Sequence, residues 1–138
     1  MHLHRRVRLP VVLCVLLSAS AGVAFAGPTP GAYTRNVTTQ ELLKAGSAAP
    51  NGTWTLRVKA RGLSLDARGQ GLVPERAAWT ATRVTVSDTP GSISLFCAPS
   101  VKGTYAWTRT GSRLAFRLIR DGCKDRAGVL AGSWKTSG

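Results

Sequence analysis

Trp54, Leu56, Val58 and Ala60 alternate with Thr55, Arg57 and Lys59. A period of two puts an apolar row and a charged row on opposite faces of a half-buried strand. Leu63 and Leu65 continue the alternation beyond Arg61 and Gly62, and Gly69 and Gly71 end it in a turn. Residues 83–86 and 92–96 flank Asp88, Pro90 and Gly91, a Pro-Gly pair suited to a tight turn, and predict a hairpin. Residues 103–109 and 112–119 predict a second hairpin through Thr110 and Gly111, with Leu114, Phe116 and Leu118 on one face. Residues 32–37 predict a short strand. One helical segment stands out, where Thr38 or Thr39 precedes Glu41, Leu42 and Leu43 and Gly46 stops the run.

Many short strands at near-regular spacing, each followed by a turn signal, favour a barrel or sandwich over an α/β fold. Closure removes exposed strand edges, so the expectation is an all-β, antiparallel barrel with one short helical segment and one disulfide. The weakest stretch is 69–78, where Pro74 interrupts the pattern.

The first residues change the picture. Arg5, Arg6 and Arg8 form a positive region, 11–17 an apolar one, and Ala24, Phe25 and Ala26 an A-x-A site, the layout of a secretory signal peptide cut after Ala26. Ser18, Ser20 and Gly22 interrupt the apolar run, which falls short of the roughly 20 residues of a spanning helix. Cys14 lies inside the apolar region, against a lipoprotein reading, and Arg8 and Leu9 favour ordinary export over the twin-arginine route. The expected organisation is a removed leader at 1–26, a flexible lead-in at 27–31 and one secreted domain at 32–138 without a transmembrane anchor.

Of 19 basic and 6 acidic residues, three arginines leave with the leader, so the mature chain carries a net charge near +10. His2, His4 and Cys14 leave as well, and Cys97 and Cys123 remain. Two cysteines in an oxidising compartment usually pair. A bridge between them would contribute roughly 3 to 4 kcal/mol through loop closure.

Loss of both histidines excludes a histidine base, a Ser-His-Asp array and a histidine-ligated zinc in the mature domain. Asp121 and Asp125 are close in sequence, but Arg120, Lys124 and Arg126 beside them favour ionised carboxylates over an acid-base pair. Asp121 and Arg126 are instead expected to fix the turn around Cys123. Gly69 and Gly71 lack the helix and lysine of a phosphate loop. The expectation is therefore a protein that is not an enzyme and needs no cofactor or metal.

Gly103, Tyr105 and Trp107, then Leu114 and Phe116, then Asp121, Cys123 and Arg126, then Val129, Leu130 and Trp134 resemble the C-terminal part of small secreted actinobacterial lipocalin-like proteins. Gly31, Tyr33, Trp54 and Leu56 are similar to that family's opening strands; residues 69–78 depart from its pattern. The resemblance implies a small antiparallel up-and-down β-barrel, lipocalin-like, with a disulfide near its C-terminal end and a cavity for a small apolar ligand.

In such a barrel Trp54, Leu56, Val58, Tyr105, Trp107, Leu114, Phe116 and Leu118 would line the cavity, or fill it. Trp79, Trp134, Tyr33 and Phe96 are core by default. The leading expectation is a binding module for a small apolar ligand. The alternatives are a basic surface protein that binds anionic cell-envelope polymers, or a structural or inhibitory domain with a filled core. Arg57, Lys59, Arg109, Arg113, Arg117 and Arg120 supply the charge for the first alternative. Nucleic acid is the disfavoured polyanion, because an arginine-rich composition also serves solubility. The Asn36 and Asn51 sequons matter only in a glycosylating host.

Overall fold

The computed structural model describes residues 25–69, 72–89, 97–98 and 100–138. Nearly all of the expected leader, and the expected strand at 92–96 with Phe96, lie outside the described residues. Eight strands run in sequence order and close on themselves: β1 (Gly31–Val37), β2 (Gly52–Lys59), β3 (Gly62–Ala67), β4 (Leu72–Trp79), β5 (Arg83–Asp88), β6 (Gly103–Thr110), β7 (Arg113–Asp121) and β8 (Gly132–Thr136). Every neighbouring pair is antiparallel, and β1 pairs with β8 to shut the barrel. The fold is a small all-β up-and-down barrel, closed as the strand pattern led one to expect, with Cys97 bonded to Cys123.

Closure accounts for the burial pattern. Tyr33, Val37, Trp54, Leu56, Val58, Leu63, Leu65, Val84, Val86, Leu114, Phe116 and Trp134 point inward from successive strands and form one hydrophobic cluster. Each indole N–H donates to a backbone carbonyl: Trp54 to Pro50, Trp79 to Lys59, Trp107 to Thr80 and Trp134 to Leu130. Burial of the rings therefore strands no indole donor.

The expected helix is α1 (Thr39–Ala45). Its capping box is complete, because the Thr38 hydroxyl accepts from the Glu41 amide while the Glu41 carboxylate accepts from the Thr38 amide. Gly46 takes the left-handed conformation at φ 67° that ends the helix, and Ser47 N–H then donates back to Leu42.

Three features correct the sequence reading. A second helix, α2 (Lys124–Leu130), occupies a stretch in which the sequence pattern predicts none. Its last five residues are all buried, Gly128 included, where a Cβ would stand 2.8 Å from Ser47 on the α1 side. Close helix packing rather than propensity places that glycine. Strand β4 runs straight through Pro74, which faces outward opposite Ser64. The ring removes one ladder donor, yet Glu75 and Ala77 on the other face still point into the barrel. Finally, β5 has β4 and β6 as its ladder partners.

Candidate functional site

Arg126 projects from the first turn of α2 into the barrel and is completely buried. Its Nε donates to Asp121 Oδ2 at 2.7 Å and its Nη2 to Asp121 Oδ1 at 2.9 Å, a two-point grip on one carboxylate. The same Nη2 donates to the Val101 carbonyl at 2.8 Å, and Nη1 to Glu75 Oε2 at 3.1 Å. Asp88 Oδ1 lies 3.6 Å from Nη1, near enough for attraction but beyond a hydrogen bond. The Tyr105 hydroxyl donates to Asp121 Oδ2, and Asp121 Oδ1 accepts from the Cys123 amide. Asp121 and Arg126 thus hold the backbone at Cys123.

The strands bring these groups together. Glu75 and Asp88 are cross-strand partners in the β4–β5 ladder, and both replace an apolar side chain at an inward position. Sequence reasoning missed them. The available signal was Glu75 itself, a carboxylate at an inward step of a strand that continues with Ala77 and Trp79.

Three carboxylates now face one guanidinium away from water. Burial, with help from Asp88, pushes the Glu75 carboxyl up to about 7, although the Arg126 charge works against the rise. Glu75 Oε1 and both Asp88 oxygens have no donor as ionised groups, and a proton on Glu75 supplies one toward Asp88. Burial alone would lower Arg126, but its bonds to Asp121 and the Glu75 charge outweigh that and hold it above its usual range. Burial pushes the Tyr105 phenol up as well. Cys97 Sγ lies within 4.8 Å of the Glu75 and Asp88 oxygens, but it is tied up in the disulfide and offers no thiolate to a metal. The cluster is a buried structural lock.

A second buried arginine serves α2. Arg35 Nη1 donates to the carbonyls of Val129 and Ala131 where that helix ends, and Nη2 binds Glu41 at 2.7 Å. Its guanidinium lies 5.6 Å from the Trp134 ring centroid. Burial lowers the Arg35 pKa, partly offset by Glu41, while the Thr38 backbone bond lowers Glu41.

Among the residues expected to line a cavity, Trp54, Leu56, Val58, Tyr105, Leu114 and Phe116 are buried in the single core cluster. Trp107 is half-buried at its margin. Leu118 stands elsewhere: it pairs with the buried Tyr105 just before the β6–β7 register shifts, yet it is 43% exposed. It borders an outer groove of about 500 Å³ between β7 and the two helices, floored by Ala127, Gly128 and Ala131.

Charge is divided sharply between inside and outside. Of the six acids, Glu75, Asp88 and Asp121 surround Arg126, Glu41 binds Arg35, Asp125 accepts from Ser47 and Ala48 to join the helices, and Asp66 stands half-buried on β3. Of the sixteen lysines and arginines after residue 26, only Arg35 and Arg126 are buried, and the other fourteen are exposed. Arg83 and Arg117 flank Ala106 across three strands, while Arg113 faces Lys135 on β8. With the exposed Arg120, they give the outer surface of β5–β8 one sign of charge.

The fold and these two charge zones define a closed, disulfide-bonded β-barrel with a locked polar interior and a cationic exterior. Comparison with known proteins finds no matching family model, no matching curated relative and no matching solved structure. Among the described residues no helix is long and apolar enough to cross a membrane, which does not bear on spanning by strands.

Proposed function

We propose that this barrel is a secreted binding module whose cationic exterior holds anionic polymers of the cell envelope, without covalent chemistry. On this reading the leader is removed after Ala26. The observation that carries it is the separation of charge: five of the six acids serve internal bonds, and fourteen exposed cations remain to act together outside. A surface charged only for solubility carries both signs interspersed. Here the exposed acid, Glu41, is already held by Arg35. Polymer binding would be dominated by counterion release, with little demand for a shaped pocket.

The test is the affinity of the secreted protein for polyglycerol phosphate across a salt series. Affinity should fall steeply with salt, and Arg113→Gln, Arg117→Gln and Arg120→Gln together should flatten the slope by about three ions, one for each phosphate no longer neutralised. An affinity indifferent to salt would overturn the reading.

A small apolar ligand is the second reading, favoured by the half-buried pair Trp79 and Trp107, whose rings meet edge-on at 6.2 Å beside Phe116. Their N–H groups are already bonded, so a ligand there would meet carbon alone. A panel of neutral lipidic and aromatic compounds that leaves tryptophan emission unchanged would rule it out.

A further inference from the structure

Next to Trp79 the cationic exterior folds into a cleft of about 510 Å³ over the outer face of β4 and β5. Arg61 from the β2–β3 turn, Arg76 from β4 and Lys102 from the segment before β6 all line it. Thr85 and Ser87 contribute hydroxyls, and Trp79 together with alanines forms an apolar wall. No acid lines the cleft, and none of the three cations has a carboxylate partner among the described residues. Arg76 and Ser87 are direct cross-strand neighbours, so a donor fork and a hydroxyl reach the same place.

What fills the apolar part of this cleft is an aromatic ring from the leader. Phe25 packs edge-on against Trp79, with ring centroids 6.4 Å apart, and is itself 39% exposed. The chain follows it closely: a Cβ on Gly27 would stand 2.8 Å from the Trp79 ring. Pro28 is buried, and the Thr29 carbonyl accepts from the Tyr33 hydroxyl at 2.6 Å, so the strap leading to Phe25 is held from below. Cleavage after Ala26 takes Phe25 away and leaves Gly27 as the new end. The Trp79 wall is then uncovered beside the three cations.

We propose that in the processed protein this cleft binds a small anion with an apolar tail: a phosphate, sulfate or carboxylate head on Arg61, Arg76 and Lys102, and the tail on Trp79 where Phe25 lay. The proposal rests on removal of the leader and narrows the exterior reading to one site and one ligand class. Head and tail are both required. An anion without a tail would gain only exposed, screened charge interactions, and a neutral tail would leave the cations without a partner.

The experiment uses protein collected from the secretion medium, its start confirmed by intact mass, and titrates octyl phosphate while following tryptophan emission. Octyl glucoside and inorganic phosphate serve as comparison probes. Octyl phosphate should give a saturable change, with each of R76Q and K102Q weakening it roughly tenfold, the scale of one charge-assisted hydrogen bond. R113Q combined with K135Q, elsewhere on the exterior, should leave it unchanged. Equal binding of octyl glucoside overturns the anionic head, and equal binding of inorganic phosphate overturns the tail. Indifference to R76Q and K102Q overturns the location, and a secreted chain that still carries Phe25 overturns the uncovering of Trp79. The polymer reading is judged separately: polyglycerol phosphate binding without octyl phosphate binding sinks this proposal alone, and the converse sinks the polymer reading alone.

Discussion

The two ends of the β4–β5 ladder are built on opposite principles. At one end Glu75 and Asp88 face each other around Arg126, fully enclosed and joined through Asp121 to the disulfide. At the other, Trp79 lies half-buried by a short turn, and the outer face leading to it carries Arg61, Arg76 and Lys102 in a cleft lined by no acid. Enclosed charges need partners, and the interior collects three of the chain's six carboxylates to provide them. The outer surface is left with a large excess of cations. The lock at one end thus explains the availability of charge at the other.

The contrast breaks most severely at Arg126. Arg126→Met strands Asp121, Glu75 and Asp88 with no counter-charge, and should cost about 3 to 5 kcal/mol in urea unfolding, enough to abolish folding in a domain this small. Reducing the Cys97–Cys123 bridge, which spans 26 positions, should cost roughly 3 kcal/mol in the same assay. The reduced protein should keep its cationic exterior and its salt-dependent polymer binding wherever it remains folded.

Glu75 gives the next effect, with a definite sign. Its pKa rises from 4.5 in the unfolded chain to about 7 in the fold, so the folded state holds the proton more tightly. This contribution to stability is fully present below about pH 4.5 and is lost as pH climbs through about 7. The loss should be on the order of 3 kcal/mol in unfolding experiments at successive pH values, and Glu75→Gln should flatten that profile. An unchanged profile in the Gln variant would assign the dependence to another group.

At the opposite end the effects are smaller in stability and larger in binding. Trp79→Ala, at a half-buried ring, should cost about 1 to 2 kcal/mol in thermal unfolding and weaken octyl phosphate binding. Arg113→Gln with Lys135→Gln should shift stability by less than about 0.5 kcal/mol, because surface substitutions away from buried features rarely do more. The same pair should reduce polymer retention on a salt gradient.

How much of this was legible depended on how local each signal is. Strict alternation at Trp54, Leu56 and Val58 fixes β2, and Thr38, Glu41 and Gly46 carry the whole of α1, since capping chemistry is local. The two-cysteine arithmetic led to the disulfide without any geometry. Asp121 with Arg126 was readable at close spacing, but its extension to Glu75 and Asp88 was not, because it depends on the register of β4 against β5. Pro74 hid β4, since the outward position of its ring cannot be read from composition. Leu118 followed the apolar alternation, but it borders the groove beside α1 and α2 instead of the core, and that placement depends on where the helices pack, which alternation does not report. The charge of the exterior could be counted from the start, whereas the retreat of the acids into the barrel could not.

The most direct test of the divided charge is nuclear magnetic resonance of the arginine Nε–H groups during titration of the secreted protein with polyglycerol phosphate. Arg83, Arg113, Arg117 and Arg120 should shift progressively and return as salt is added, while Arg35 and Arg126 stay fixed. Shifts at Arg126, or none on the exterior at low salt, would contradict an interior that only locks the fold and an exterior that binds.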